Sequence, residues 1–220
     1  ASADFDRDGR PDLAVALYSE SVAILLNTNP LGFSQNPRFA SGPSTSRVYV
    51  GDLNGDGRAD LLGSSDVSVL YGNGPGTFAP RVALLPGRFP AELAIGDFNR
   101  DGRQDIVAAS SELDGLLLFL GMPGGGFATA TRVAFFNRAY FARAADFNGD
   151  GILDIAGGEL SGELQILLGR GDGTFSPAPP SFGFLLIGDE TLVLSDFDRD
   201  GDLDLVVGLG SISLYRGRGD

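Results

Sequence analysis

The nine residues DFNRDGRQD (97–105) recur, with small changes, four more times along this chain of 220 residues. The copies share the pattern D-[FL]-[DN]-x-D-G-x-x-D, with Asp or Asn at positions 1, 3, 5 and 9 and Gly at position 6. We number these acidic loops 1 to 5 in chain order. They are DFDRDGRPD (4–12), DLNGDGRAD (52–60), DFNRDGRQD (97–105), DFNGDGILD (146–154) and DFDRDGDLD (196–204).

The pattern of the acidic loops is typical of a calcium site. Ca²⁺ prefers oxygen ligands, and alternation along a tight loop brings every second side chain to one side. Gly at position 6 permits the sharp reversal, and the backbone carbonyl of position 7 can point inward. The sequence therefore predicts about five structural Ca²⁺ ions. The predicted ligands, with position 7 contributing its carbonyl, are Asp4, Asp6, Asp8, Arg10, Asp12, Asp52, Asn54, Asp56, Arg58, Asp60, Asp97, Asn99, Asp101, Arg103, Asp105, Asp146, Asn148, Asp150, Ile152, Asp154, Asp196, Asp198, Asp200, Asp202 and Asp204.

Two other interpretations of the loops are weaker. Solvated acidic turns would crowd three or four carboxylates into nine residues, where they repel one another unless a cation is present. An EF-hand would need Glu at position 12 and a helix on each side. Position 12 is instead Val15, Gly63, Ala108, Gly157 or Val207, and a short apolar run follows each loop. Because these runs are too short for helices, they predict buried strands.

The spacing of the loops predicts the architecture. They begin about every 45–50 residues, a period typical of propeller blades. In each unit one strand enters the loop, a second leaves it, a turn leads to a third, and a Gly-rich turn such as GRGDGTF (169–175) leads to an outer fourth strand. We therefore expect an all-β fold, a single β-propeller domain over residues 1–220 with five blades of about four antiparallel strands each. The approximate repeats are 1–47, 48–91, 92–140, 141–190 and 191–220.

The fifth unit differs from the others because the chain ends at Asp220, inside its Gly-rich turn. The last blade is therefore expected to lack its outer strand, and residues 1–3 are too few to supply it. The blade would keep an open edge, or further sequence would cover it, or a neighbouring molecule would add a strand. Since open edges are usually covered, we expect one of the latter two, including self-association through this edge.

The acidic loop, the apolar strand after it and the G-x-G-x-G-T-F turn together resemble the FG-GAP/VCBS repeat family. Such repeats form the propeller of integrin α chains, of several fungal lectins and of many secreted bacterial proteins. The resemblance covers essentially the whole chain. It implies structural calcium in the loop between the first two strands of each blade, on one face of the disc, and ligand binding on the opposite face. The family shares no single ligand, so the fold does not fix the function.

Charge and composition fit a secreted, metal-bound module. The formal net charge is −13, and five Ca²⁺ ions would neutralise most of it. A basic footprint for nucleic acid is missing, and no apolar run reaches transmembrane length, so neither nucleic acid binding nor membrane insertion is expected. Cysteine is absent, which an extracellular protein tolerates when metals stabilise it. We expect an extracellular location, secreted or at the cell surface.

Catalysis is not expected. The chain has no His and no Cys, which excludes imidazole bases and thiol nucleophiles. A carboxylate pair for glycoside hydrolysis could be drawn from acids outside the loops, but solvated hairpin turns explain these better. Those acids are Glu20, Asp66, Glu112, Asp114, Glu159 and Glu163.

The predicted ligand face combines two sets of loops. The turns between second and third strands are 18–21, 64–66, 110–115, 159–162 and 209–211, and the connections between blades are 40–47, 86–91, 137–140 and 183–190. Aromatic residues and arginines in or beside them suit a carbohydrate or an extracellular protein. These are Tyr18, Phe89, Tyr140, Phe184, Arg47, Arg88 and Arg138. Three further arginines on outer strands, Arg38, Arg81 and Arg132, are expected to be solvated edge charges.

Three functions remain open on the sequence. The first, which the sequence favours, is a noncatalytic, calcium-stabilised extracellular recognition or adhesion module, with a lectin-like module as one form of it. The second is a self-assembling structural subunit of an extracellular filament or surface layer. The third is the accessory domain of a polysaccharide-active enzyme.

Overall fold

The computed structural model describes residues 1–17, 20–28, 32–113, 115–136, 138–159, 164–178, 192–199, 204–208 and 212–215. Within these ranges the regular structure is β-strand, apart from one 3-10 turn at Ser65–Val67. The predicted all-β class is confirmed for this part of the chain. A search of the same ranges for a long apolar helix able to cross a membrane found none.

Five antiparallel sheets follow one another along the chain, one for each repeat. Sheet 1 contains β1 (Ser2–Ala3), β2 (Asp12–Leu17), β3 (Ser21–Asn27) and β4 (Phe33–Ala40). Sheet 2 contains β5 (Val48–Gly51), β6 (Asp60–Gly63), β7 (Ser68–Leu70) and β10 (Val82–Ala83), and a small separate hairpin pairs β8 (Gly72–Gly74) with β9 (Thr77–Phe78).

Sheets 3 to 5 repeat this order. Sheet 3 contains β11 (Glu92–Gly96), β12 (Asp105–Ser110), β13 (Gly115–Phe119) and β14 (Thr131–Phe135). Sheet 4 contains β15 (Ala139–Ala145), β16 (Asp154–Glu159), β17 (Leu164–Gly169) and β18 (Phe175–Pro177). Sheet 5 has three described strands, β19 (Leu192–Ser195), β20 (Asp204–Gly208) and β21 (Ile212–Tyr215). In every sheet the acidic loop joins the first strand to the second, as the repeat pattern predicts.

Sheet 2 departs most from the common pattern. A 3-10 turn at Ser65–Val67 precedes its third strand, which begins at Ser68. Its Gly-rich turn is itself a hairpin, β8–β9, because positive φ at Gly74 and Gly76 reverses the chain within four residues. The outer strand β10 is therefore displaced beyond this hairpin and shortened to two residues.

The described sheets stack face to face, because their inner strands are apolar on both sides. Alternate residues of one strand point to opposite neighbours. On β12, Ile106 packs in a core shared with sheet 2, whereas Val107 packs in a core shared with sheet 4. On β6, Leu61 faces sheet 1 and Leu62 faces sheet 3. Each sheet thus depends on its neighbours to bury its two faces, as in other repeat architectures.

Closure of the stack into a ring of five blades stays a prediction. The described cores join sheet 1 to sheet 2, sheet 2 to sheet 3 and sheet 3 to sheet 4. Residues 216–220, on which the expectation of a missing outer strand depends, lie outside the described part of the chain.

Gly157 provides a test of the stacking. A Cβ atom at this position on β16 would lie 2.7 Å from Leu116 Cδ1 of sheet 3, closer than atoms pack. We expect Gly157→Ala to lower the free energy of unfolding by about 1–3 kcal/mol through overpacking. Leu116→Val removes the contacted atom, so the double variant should lose less stability than the two single losses added together. Denaturant titration of all four proteins measures this coupling, and strictly additive losses would contradict the contact.

Candidate metal centres and the opposite face

The acidic loops are folded around their own carboxylates. In loop 1, Asp4 at position 1 accepts the backbone N–H of Asp8 at 3.1 Å and that of Gly9 at 2.9 Å. Asp52, Asp97 and Asp146 accept the equivalent pair of N–H groups in loops 2 to 4. These bonds turn the chain around the position 1 carboxylate, so that the other side-chain oxygens gather on the same side.

Positions 3 and 5 continue the same inward arrangement. The position 3 oxygen accepts the N–H of position 5, and the position 5 oxygen accepts the N–H of position 7, in each of loops 1 to 4. At position 3 these residues are Asp6, Asn54, Asn99 and Asn148. At position 5 they are Asp8, Asp56, Asp101 and Asp150.

Two left-handed residues make the tight loop possible. Gly at position 6 has positive φ in loops 1 to 4, as expected from its conserved place in the pattern of this chain. Position 4 is also left-handed in all five loops, at Arg7, Gly55, Arg100, Gly149 and Arg199. An Arg in this region carries backbone strain, which the surrounding hydrogen bonds must offset. The sequence does carry a signal for this second reversal, because position 4 is Gly in loops 2 and 4 and Gly adopts a positive φ without strain.

In the two terminal loops the acidic oxygens converge closely enough for one cation. Oxygen atoms of Asp4, Asp6 and Asp8 lie within 4.8 Å of one another, and so do those of Asp196, Asp198 and Asp204. Ca²⁺ binds oxygens at about 2.3–2.6 Å, so two ligands on opposite sides of one ion are about 5 Å apart. The residues present therefore fit a calcium ion.

Two predicted ligands of loop 5, Asp200 and Asp202, lie outside the described residues. Their roles stay predictions, as does the inward carbonyl of position 7 in all five loops.

The side chain at position 7 has a function that the sequence did not reveal. Arg10, Arg58 and Arg103 form ion pairs with the position 5 carboxylates of their own loops. The Nε–H groups of Arg10 and Arg103 also donate to carbonyls at or just after the end of the third strand, Asn27 O at 2.8 Å and Gly121 O at 3.0 Å. These arginines therefore compensate loop charge and attach the loop to its sheet.

Position 9 differs from the other acidic positions because its side chain is fully buried in all five loops. Asp12 accepts the N–H of Phe5, at the start of the loop, and the N–H of Asn27, at the end of the third strand, both at 2.8 Å. Asp60, Asp105 and Asp154 accept the equivalent two N–H groups at 2.7–2.9 Å. Position 9 therefore links three strands, in addition to its predicted role as a ligand.

Burial disfavours the charged form of several position 9 carboxylates and so raises their pKa values. Burial raises the pKa of Asp60 to about 6, and neighbouring Asp56 and Asp52 add to the rise, although two backbone N–H groups oppose it. The pKa values of Asp105 and Asp154 are raised for the same reason. Such a group favours folding below its unfolded pKa and loses that contribution as the pH rises through its folded pKa. At neutral pH a bound cation would reverse this penalty.

The Gly-rich turns pack on the acidic loop of the preceding unit. Gly76 of unit 2 donates its N–H to Phe5 O of loop 1 at 3.0 Å, and Gly173 of unit 4 donates to Phe98 O of loop 3 at 3.3 Å. Gly125 of unit 3 faces loop 2, where an added Cβ would lie 3.2 Å from Asn54 Cβ. Each of these loops therefore lies at the junction between two units.

The family comparison agrees with this arrangement of repeats. A model of the FG-GAP-like repeat matches four times, over residues 4–63, 61–108, 97–157 and 146–207. The chain belongs to the FG-GAP-like repeat family. Three of the matches begin at position 1 of an acidic loop and extend through the next loop, so each FG-GAP-like repeat spans the junction of two sheets. A search among curated proteins found no match.

At the other end of the sheets, the first two FG-GAP-like repeats bring together three of the predicted ligand-face segments. The turn 64–66 meets both connections, 40–47 and 86–91. Ser64 donates its N–H to Arg47 O at 3.0 Å, and Asp66 donates its N–H to Arg88 O at 3.2 Å. A small cavity of about 170 Å³ lies between them, lined by Ser44, Ser46, Ser64, Ser65, Phe89 and Pro90. We call it the serine cavity.

Beside this cavity, Arg81 is exposed, as expected of an edge charge, but it also has a buried partner. Arg81 precedes β10 and donates from Nη1 to buried Asp66 Oδ2 at 2.9 Å and to Ser68 Oγ at 3.0 Å. Asp66 and Val67 both have positive φ, which turns the Asp66 carboxylate inward toward this partner. Arg132 conforms better to expectation, since it is exposed on β14, where it donates to Leu113 O and lies over the Phe135 ring. Arg38 is also exposed.

The remaining candidates of the ligand face are dispersed. Arg88 forms an exposed ion pair with Glu112 at 3.2 Å, and Tyr140 lies on β15. Tyr18, Phe184, Asp114 and Glu163 fall outside the residues that the structure describes.

Asp12 allows the linking role of position 9 to be separated from calcium binding. Asp12→Asn places an NH₂ group against one of the two buried backbone N–H donors. In excess chelator we expect it to lower the free energy of unfolding by about 2–3 kcal/mol. The matched change Asp8→Asn, at the more exposed position 5, should cost less than about 1 kcal/mol under the same conditions. Equal effects of the two substitutions in a urea titration would contradict the linking role.

Proposed function

We propose that this chain is a noncatalytic, calcium-stabilised recognition module of an extracellular protein, folded as a five-bladed β-propeller. The observation that carries the proposal is the five-fold repetition of an acidic loop between the first two strands of a sheet, with converging oxygens in loops 1 and 5. The metal would be structural, because the acidic loops lie at the junctions between units rather than in an open cleft.

Charge supports calcium as the resident ion. Five divalent ions would offset ten of the thirteen excess negative charges. Without them, acids repel one another at close range. Burial, together with the charges of Asp12, Asp8 and Asp4, raises the pKa of Asp6. Carboxylate, amide and carbonyl oxygens are hard ligands that suit Ca²⁺ better than the transition metals. The high calcium concentration outside cells would keep such sites filled, in agreement with the proposed extracellular location.

The propeller is supported by the way the sheets stack. Successive sheets share cores on both faces, and the first strands of sheets 3 and 4 pack side by side. Radial repetition would let the same packing continue around an axis and leave few exposed edges. A ring of five blades would place one acidic loop in each blade.

A recognition function is favoured over catalysis because several acidic residues outside the loops are already held in ion pairs with arginines. Asp66 is paired with Arg81, Glu112 with Arg88, and Glu92 with Arg47 and Arg143. The serine cavity offers hydroxyl groups next to Phe89, a residue that is 45% exposed. A sugar ring stacked on this aromatic, with its hydroxyls bonded to serines, would give a lectin-like site.

The calcium proposal predicts a large effect of chelation on stability. A site filled at about 100 times its Kd adds about 2.7 kcal/mol, so several sites together rival the whole stability of a typical domain. We expect excess chelator to lower the melting temperature steeply and added Ca²⁺ to restore it. Mg²⁺ should restore less, because it demands near-ideal octahedral geometry. Calorimetric melting curves that are identical with chelator and with Ca²⁺ would refute the proposal.

The lectin-like site predicts a specific loss of binding. Glycan-array signal from the calcium-loaded wild type should fall by about tenfold or more in Phe89→Ala, because the stacking surface is removed. Phe135→Ala is the matched control, since Phe135 is more exposed but lies on β14, away from the serine cavity. Equal losses in both variants, or retention of the signal in Phe89→Ala, would exclude this cavity as the carbohydrate site.

A further inference from the structure

A second and larger cavity lies between the first strands of three consecutive sheets. Its volume is about 470 Å³, within the usual size of small-ligand pockets. Residues 47–49 before and on β5, 92–95 on β11 and 142–144 on β15 line it. In a closed ring this position would face the central axis. We call it the inner-strand cavity.

The charged groups of the inner-strand cavity are two arginines and one glutamate. Glu92 is buried, with a side chain only 7% exposed, whereas Arg47 and Arg143 are 37% and 39% exposed. Both arginines approach the same carboxylate oxygen, Glu92 Oε1, through Nη1. Two cations therefore share one carboxylate, and this cavity lining carries a net positive charge in a chain that is strongly acidic overall.

The arginines retain hydrogen-bond donors for a ligand. Arg47 Nη1 also donates to Ala91 O at 2.8 Å, and Arg143 Nη1 donates to Ala142 O at 3.2 Å. Among the described residues, neither guanidinium forms a hydrogen bond or ion pair through Nε or Nη2. A guanidinium with a free edge is suited to a carboxylate, which it binds through two parallel N–H donors.

Tyr49 and the strand backbones complete the cavity. The Tyr49 hydroxyl oxygen accepts the N–H of Leu93 at 3.2 Å, which leaves its O–H as a further donor. Burial raises the Tyr49 pKa, so this proton stays in place at neutral pH. Val48, Ile95 and Ala144 contribute apolar surface. The lining thus combines donors for an anion with a wall for the apolar body of the molecule that carries it.

We propose that the inner-strand cavity binds a small organic carboxylate, with Arg143 and Arg47 holding the carboxylate group, Tyr49 donating to it, and Glu92 setting the orientation of both arginines. The proposal requires neither calcium in the loops nor a carbohydrate in the serine cavity. The ligand class includes uronic acids and other acids of similar size. An uncharged ligand would make poorer use of the paired guanidinium donors.

The test is calorimetric titration of the full chain, in Ca²⁺ buffer, with two matched pairs of ligands. Glucuronate is compared with glucose, and benzoate with benzamide, so that each pair differs mainly in the carboxylate. At least one acid should bind about tenfold or more tightly than its uncharged counterpart, because its carboxylate is held by charged donors. If neither acid is preferred over its uncharged counterpart, the proposal is wrong, and titration of the wild-type protein alone is enough to show this.

Variants then locate the site. Arg143→Gln should abolish the preference for the acid, and Arg143→Lys should retain part of it, because Lys keeps the charge but loses the planar pair of donors. Glu92→Gln should strengthen acid binding severalfold, since the Gln side-chain oxygen can still accept from both arginines and hold their orientation, while the competing negative charge is removed. Arg132→Gln, on an outer strand, is the neutral control.

Folding of each variant is checked first by its melting curve in Ca²⁺. A purely structural role for the three charged residues predicts a different result, in which Glu92→Gln lowers stability and does not strengthen acid binding. Acid binding that survives unchanged in both Arg143→Gln and Arg47→Gln would place the ligand elsewhere and overturn the proposal. Failure of the calcium or glycan experiments would leave this comparison of matched ligands unaffected.

Discussion

The buried aspartate at position 9 is the interaction on which each repeat depends. One carboxylate oxygen holds the start of the acidic loop and the other holds the end of the third strand, as Asp105 does with Phe98 and Gly121. Only an ionised carboxylate offers two acceptor oxygens to opposing N–H groups without presenting a donor to either. Its burial opposes ionisation, so the repeat gains strand order at an electrostatic cost that a nearby cation can offset.

Local order in one repeat is transmitted to the next through the Gly-rich turns. Gly76 and Gly173 donate to the backbones of the preceding loops, and both faces of the inner strands are buried only between neighbours. The stability of such an array combines terms for single repeats with terms for their interfaces. A metal bound in one loop would therefore stabilise two units. The acidic loops and the sheet junctions therefore coincide along the chain.

The two ends of the sheets are chemically different. The acidic loops follow the C-terminal ends of the first strands, whereas serines, an exposed Phe89 and the pair Arg47–Glu92 gather where β5 and β11 begin. Metal binding and ligand binding would thus be separated by the length of a strand.

Sequence alone determined the features that recur at a fixed spacing. The acidic loops, the strands on either side and the all-β class follow from local periodicity, since side chains of a strand alternate and Gly marks the reversals. Only the tertiary structure decided the pairs Arg81–Asp66 and Arg143–Glu92. Arg81 meets Asp66 when β10 pairs with β7, and Arg143 meets Glu92 when two sheets stack. The second role of position 9 was hidden for the same reason. Its spacing indicates a ligand, but the N–H group at the end of the third strand approaches it only once the sheet has formed.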